Sequence, residues 1–209
     1  MMASIKKDVK LAFSENRNII IASAAIFFIA LILGYLFQPA LYSYFNPLVE
    51  DLSDKVRSGV IKLTFQDIFL NNIMIVLRMF ILGVFFFISP LILAFNGFFA
   101  GYFISSAPNL TYALVLIIPH AIFEFPSCIL GCASGLVLFK FVYNLIKTFK
   151  REKGMKFSGR IVNAYSENFN ILLQAFILLI VSSVLMIVAG IVEVYITVPV
   201  GMQIMSILS

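Results

Sequence analysis

The chain has 209 residues, of which 62% are hydrophobic and only 12% charged, with a formal net charge of +5. A water-soluble domain carries charge on about a quarter of its residues, and a chain of mean hydropathy +1.05 lacks the polar surface to cover itself in water. Soluble enzymes are excluded on that ground, and the expected fold is all-α: a polytopic membrane helix bundle, one domain over 1–209, with about five spans.

In chain order, Lys6, Lys7, Lys10 and Arg17 precede a first apolar run at 19–37. Its length exceeds a signal-peptide core and no cleavage pattern follows, so a retained anchor is expected. Between the basic residues, Ile5, Val9, Ala12 and Phe13 form an apolar stripe at helix spacing. A loop at 38–72 follows, with Lys55, Arg57 and Lys62 set against Glu50, Asp51, Asp54 and Asp67. Within it Val49, Leu52, Val56, Val60 and Leu63 recur at helix spacing, as in an amphipathic helix lying on the membrane or capping the bundle.

The second span is expected at 73–95, interrupted only by Arg78, and the third at 97–118. The Ser105-Ser106-Ala107-Pro108-Asn109 segment makes the third either a kinked span or two re-entrant pieces. The fourth is expected at 122–146 and the fifth at 169–198, about 20 apolar residues being enough to cross the hydrocarbon. Gly97 with Gly101, and Gly131 with Gly135, have GxxxG spacing and mark close helix packing, within the chain or between subunits. Cys128 and Cys132 share an apolar helix face and read as small packing residues.

Orientation follows from charge. The loop at 147–168 carries Lys147, Lys150, Arg151, Lys153, Lys156 and Arg160, and five spans put it on the same side as the basic N-terminus. The positive-inside rule makes that side cytoplasmic, with the 38–72 loop and the C-terminus outside a multi-pass cell-membrane protein. Topology and anionic lipid account for the basic loop, so no nucleic-acid partner is expected.

Ionisable groups inside a span cost about 2.5–3.5 kcal/mol or more at the centre, so each needs a reason. Arg78, His120, Glu124 and Glu193 are the four, joined near span ends by Asn71, Asn72 and Asn96. The densest stretch is Pro119-His120-Ala121-Ile122-Phe123-Glu124-Phe125-Pro126. His120 and Glu124 share a helix face, while Pro119 and Pro126 predict a broken helix there. Either a static interhelical network, for instance Arg78 with Glu124 or Glu193, or a proton or ion path uses such groups. No catalytic constellation, nucleotide loop or metal-ligand cluster is legible. No enzyme activity, no metal and no cofactor are therefore expected.

Asn71-Asn72, Asn96-Gly97 with Gly101, Pro119-His120 followed by Glu124 and Pro126, and Glu193 with Thr197 resemble the stage II sporulation protein M family. Ala121 stands where family members usually carry Gly, and Phe125 where they carry Leu; neither change removes a polar group. The resemblance implies five transmembrane helices and no intrinsic catalysis. It also implies a scaffold or anchor that recruits envelope partners, since the best-known member anchors a peptidoglycan-degrading machine during forespore engulfment. Membrane lipid, a second copy of the chain, or envelope proteins are the partners in view. A transporter or export component, with the buried Arg, His and Glu groups lining a path, is the alternative.

Overall fold

The computed structural model describes residues 2–58, 64–107, 109–151, 154, 156–197, 199–200 and 203. The side chains of Val49, Leu52, Val56 and Arg57, and the whole of Val60, Lys62, Leu63, Pro108, Lys153 and Val198, lie outside the described residues. The described chain is helical throughout: α1 (Met2–Glu15), α2 (Arg17–Arg57), α3 (Phe65–Leu82), α4 (Ile88–Ser106), α5 (Leu110–Arg151) and α6 (Phe157–Val192). A π-helical turn, Glu193–Thr197, ends α6. Five of the helices are long and apolar enough to cross a membrane. The protein is a multi-pass membrane helix bundle.

Span boundaries differ from those expected, for local reasons. The stretch 73–95 is not one span but the end of α3, a turn at 83–87 and the start of α4. The turn is built from Gly83-Val84-Phe85-Phe86-Phe87, with backbone bonds from Phe85 to Leu82 and from Ile88 to Phe85, both 3.0 Å. Because every residue in it is apolar, hydropathy cannot separate it from the helices on either side. α3 instead begins at Phe65, where Thr64 caps it: its hydroxyl accepts from the Asp67 N–H and donates to the Asp67 carboxylate. The expected third span therefore divides between α4 and α5, meeting at 107–109. The break expected near Pro119–Pro126 is absent, since α5 runs unbroken through both prolines. Packing on both sides holds a helix in register across a proline when the freed carbonyls find other partners.

Alternating spans put α1, the 83–87 turn and the 152–156 connection at one end of the bundle, here the basic end. The C-terminal part of α2, the 107–109 connection and Glu193–Thr197 lie at the far end.

Glycines set the closest approaches, and both GxxxG pairs work within the chain. A Cβ on Gly101 would sit 1.9 Å from the Leu31 carbonyl oxygen, and one on Gly97 would be 2.5 Å from that of Phe27, so α4 lies backbone to backbone on α2. Gly135 meets Met79 of α3 in the same way, and Gly83 meets Gly135. Around these contacts Phe27, Ile73, Val76, Met79, Leu93, Cys128, Cys132 and Met186 form the central core. A second cluster toward the basic end joins Ala12, Phe80, Leu130, Ala133, Val137, Ala175 and Leu178. Both cysteines are buried and free, as packing residues would be.

The helices outrun the membrane on both sides. At 41 and 42 residues, α2 and α5 are each about 60 Å long, against a hydrocarbon core of about 30 Å. At the far end α2 continues past Phe45, whose ring rests 5.3 Å from that of Tyr102, into a charged segment held by Asn46–Glu50 and Asp51–Lys55 pairs. At the basic end α5 and α6 continue together as an antiparallel hairpin. There Arg151 binds both Glu167 carboxylate oxygens at 3.0 and 2.9 Å, and Asn168 donates to Thr148 at 3.2 Å. Arg160 lies over the Phe149 ring at 4.0 Å and donates to the Phe149 carbonyl.

Candidate functional site

Near the far end α5 and α6 carry two polar layers between their apolar surfaces. The deeper one is a clasp. The Ser127 hydroxyl donates to the Ser182 carbonyl at 2.8 Å and the Ser182 hydroxyl to the Ser127 carbonyl at 2.7 Å, with both side chains fully buried. Small side chains let the helices close on each other here, and each hydroxyl also has the other within 3.2 Å.

Nearer the far end, about one to two turns along α5 and about three along α6, the side chains become ionisable. His120 and Glu124, four residues apart on α5, face the point where α6 loosens into its π turn. In that transition the Glu193 N–H is shared between the Ala189 and Gly190 carbonyls. The π turn carries two of the cluster's side chains, Glu193 and Thr197. His120 Nδ1 lies 3.3 Å from Thr197 Oγ1, and His120 Nε2 lies 3.8 Å from a Glu124 carboxylate oxygen. One donor atom from each of His120, Glu124 and Glu193 lies within 4.8 Å of the other two. All three are partly buried, while Thr197 is buried. The two prolines flank this layer. Pro119 and Pro126 cannot donate to Val115 and Ile122, so α5 is deprived of two backbone bonds on either side of His120 and Glu124.

The remaining polar residues singled out in the sequence do not join the cluster. Arg78 is exposed on α3, toward the basic end, and among the described residues no ion pair links it to Glu124 or Glu193. The network that would pair it with either carboxylate is therefore not formed. Snorkelling explains it better: a long side chain near a helix end can carry its charge out to the interface. Asn71 and Asn72 contact each other at 3.4 Å, and Asn96 donates to the Ile92 carbonyl of its own helix at 2.8 Å.

Two polar contacts had no counterpart in the sequence reading. One is the serine clasp, whose only signal was a pair of serines in apolar runs. The other is at the basic end, where Asn16 donates to Gln174 at 2.8 Å and Gln174 to Glu15, fastening the α1–α2 junction to α6.

Residues 23–198 match the family described as Stage II sporulation protein M. The chain belongs to that family. The matched region holds both polar layers and both glycine pairs, and begins beyond α1. A relative, an uncharacterized protein of the archaeon Methanocaldococcus jannaschii, is 26% identical over 193 residues, covering 86% of this chain and 81% of its own. No solved structure matches the chain. For this stage II sporulation protein M family member, the family blocks at 119–126 and 193–197 are the segments that meet in space around His120.

Proposed function

We propose that this protein is a non-enzymatic membrane anchor that holds partner proteins on both sides of a bilayer. The observation that carries this reading is the pair of helical extensions reaching past the spans at opposite ends. The far-end extension of α2 presents Tyr44, 74% exposed, beside the charged Glu50–Lys55 stretch. The hairpin at the basic end is braced by Arg151–Glu167 and Arg160–Phe149, as a docking surface of fixed shape requires. Both are continuous with spanning helices, so a partner held on either extension is tied directly to the bundle.

A polar transport path has less support. Beyond the Ser127–Ser182 clasp, the next layers toward the basic end are Leu130, Ala133, Val137, Ala175 and Leu178, all buried and apolar. An ion leaving Glu124 in that direction leaves the carboxylates behind and meets only neutral hydroxyls and thiols, Ser127, Ser182, Cys128, Cys132 and Ser134, packed among these apolar side chains.

The basic end belongs on the cytoplasmic side, because Lys6, Lys7, Lys10 and Arg17 gather there with Lys147, Lys150 and Arg151. Cysteine labelling in intact cells tests the orientation. Ser58→Cys is expected to react with an impermeant maleimide and Ser158→Cys only after lysis, against a low background from buried Cys128 and Cys132. For the anchor itself, a photoreactive residue at Tyr44 should cross-link to envelope proteins that are no longer recovered when the charged extension 46–58 is deleted internally and α3 to α6 are kept. Identical recovery by both chains sinks the proposal.

A further inference from the structure

We propose that His120, Glu124 and Glu193 form a binding site for one divalent transition-metal ion, of the zinc class, with Thr197 orienting the histidine.

The hydrogen-bond geometry points to an ion. Thr197 Oγ1, 3.3 Å from Nδ1, is positioned to take the Nδ1–H of a neutral imidazole. That tautomer leaves Nε2 with a bare lone pair, and Nε2 faces the Glu124 carboxylate at 3.8 Å. Lone pair against carboxylate is repulsive and too long for a hydrogen bond. Glu193 brings a second carboxylate into the same 4.8 Å circle. Among the described residues no Lys or Arg is ion-paired with either acid. Three electron-pair donors thus converge in a span where unpaired charge is costly, and two carboxylates are matched in charge by one divalent cation.

The donor set selects the class. One imidazole nitrogen with two carboxylate oxygens is a mixed set that suits zinc, iron or manganese; all-oxygen ligation would favour calcium or magnesium. Tetrahedral zinc with bonds of about 2.0–2.2 Å puts its ligand atoms roughly 3.3 Å apart. The present spacing is wider, 3.8 Å from Nε2 to Glu124 and up to 4.8 Å within the set, and side-chain rotation about a bound ion would close it. Three protein ligands leave a fourth position open for water or a further ligand. A metal-bound histidine commonly donates its other N–H to an oxygen, the part Thr197 plays.

The sequence concealed the site because Glu193 is 69 residues beyond Glu124 and joins His120 only through the antiparallel meeting of α5 with the end of α6. The inference is independent of the anchoring proposal: an anchor can lack a metal, and a metal site can exist in a chain that binds no partner.

The test uses full-length protein purified in detergent, stripped with chelator and dialysed against zinc. One zinc per chain is expected. Glu124→Gln, Glu193→Gln and His120→Ala should each weaken binding more than tenfold, whereas Glu50→Gln on the α2 extension should not. Thr197→Val should weaken it by about tenfold and Thr197→Ser should restore it, the scale on which such orienting partners act. Should a variant fail to fold, cobalt(II) substitution in the intact chain decides, its absorption bands reporting low-coordinate nitrogen and oxygen donors. Absence of stoichiometric binding, or equal binding by the intact chain and the folded Glu124→Gln/Glu193→Gln double variant, overturns the proposal; so does a cobalt spectrum identical to that of the ion in buffer.

Discussion

The Ser127–Ser182 clasp and the His120–Glu124–Glu193–Thr197 layer lie on the same helix pair, the second nearer the far end, yet they resolve burial in opposite ways. In the clasp each hydroxyl has a carbonyl partner across the interface at 2.7 or 2.8 Å, and nothing ionisable is present. The helices there are regular and the side chains fully buried. In the upper layer donors outnumber their partners, α6 has changed its winding, and α5 is flanked by prolines. A membrane interior tolerates polar groups when they satisfy one another. The clasp does so by itself. The layer above it lacks a positive charge, so the first region reads as structure and the second as a binding site.

The strongest test of the close-packed side lies at its glycines. Gly135→Ala places a Cβ 2.3 Å from the Met79 carbonyl oxygen, a backbone atom that moves only if α3 and α5 separate. Gly131→Ala meets side chains alone, Met79 and Val76 at 3.2 Å and the Ser182 hydroxyl at 3.4 Å. Overpacking typically costs about 1–3 kcal/mol. Gly135→Ala is expected near the top of that range and Gly131→Ala below about 1 kcal/mol, measured by denaturant titration in micelles. Equal losses would mean that the interface relaxes freely and that the clasp is no rigid reference for the layer above.

The clasp comes next in size. Ser127→Ala or Ser182→Ala alone should cost about 0.6 kcal/mol, the mean measured for such bonds between spanning helices. The double substitution should cost roughly 1–1.5 kcal/mol, since each hydroxyl keeps a separate carbonyl as acceptor in the single variants. Neither change should alter zinc binding at His120. A loss of zinc affinity in Ser182→Ala would join the two layers into one network and dissolve the contrast between them.

Membrane class, the number of spans and the closeness of packing at both glycine pairs were legible in the sequence, because each rests on composition or on spacing within one helix. The i, i+4 relation of His120 and Glu124 was legible for the same reason. That both glycine pairs pack within the chain was not, since spacing alone leaves a second subunit open. Boundaries between the second and third spans were not. Hydropathy measures transfer to an apolar phase, and the 83–87 turn, with its three consecutive phenylalanines, is as apolar as the helices it joins. The prolines misled in the other direction. Their effect on an isolated helix predicts a break, whereas α5 is supported by α3, α4 and α6 and continues through them. Glu193 and Thr197 were visible as polar residues late in the chain, but their meeting with His120 depends on how α6 folds back along α5, and spacing along the chain does not encode that. Arg78 shows the converse error: a charge inside an apolar run suggested a buried partner, and the helix instead turns it outward.

The smallest expected effect is also the one that divides the two layers most sharply. Replacing a satisfied polar group with an apolar one destabilises; replacing an unpaired buried carboxylate is often neutral or stabilising. In chelator-stripped protein, Glu193→Leu should therefore change unfolding stability by less than about 0.5 kcal/mol, or raise it, because it removes a carboxylate that has Glu124 beside it and no cation between them. Adding zinc should stabilise the unsubstituted chain and leave Glu193→Leu unmoved, since a ligand stabilises only a folded state that binds it. The order of the two proteins then reverses between the metal-free and zinc-loaded melts. If Glu193→Leu costs as much as the double serine substitution without metal, the carboxylate is already satisfied within the fold, and the upper layer is a second clasp built from different residues.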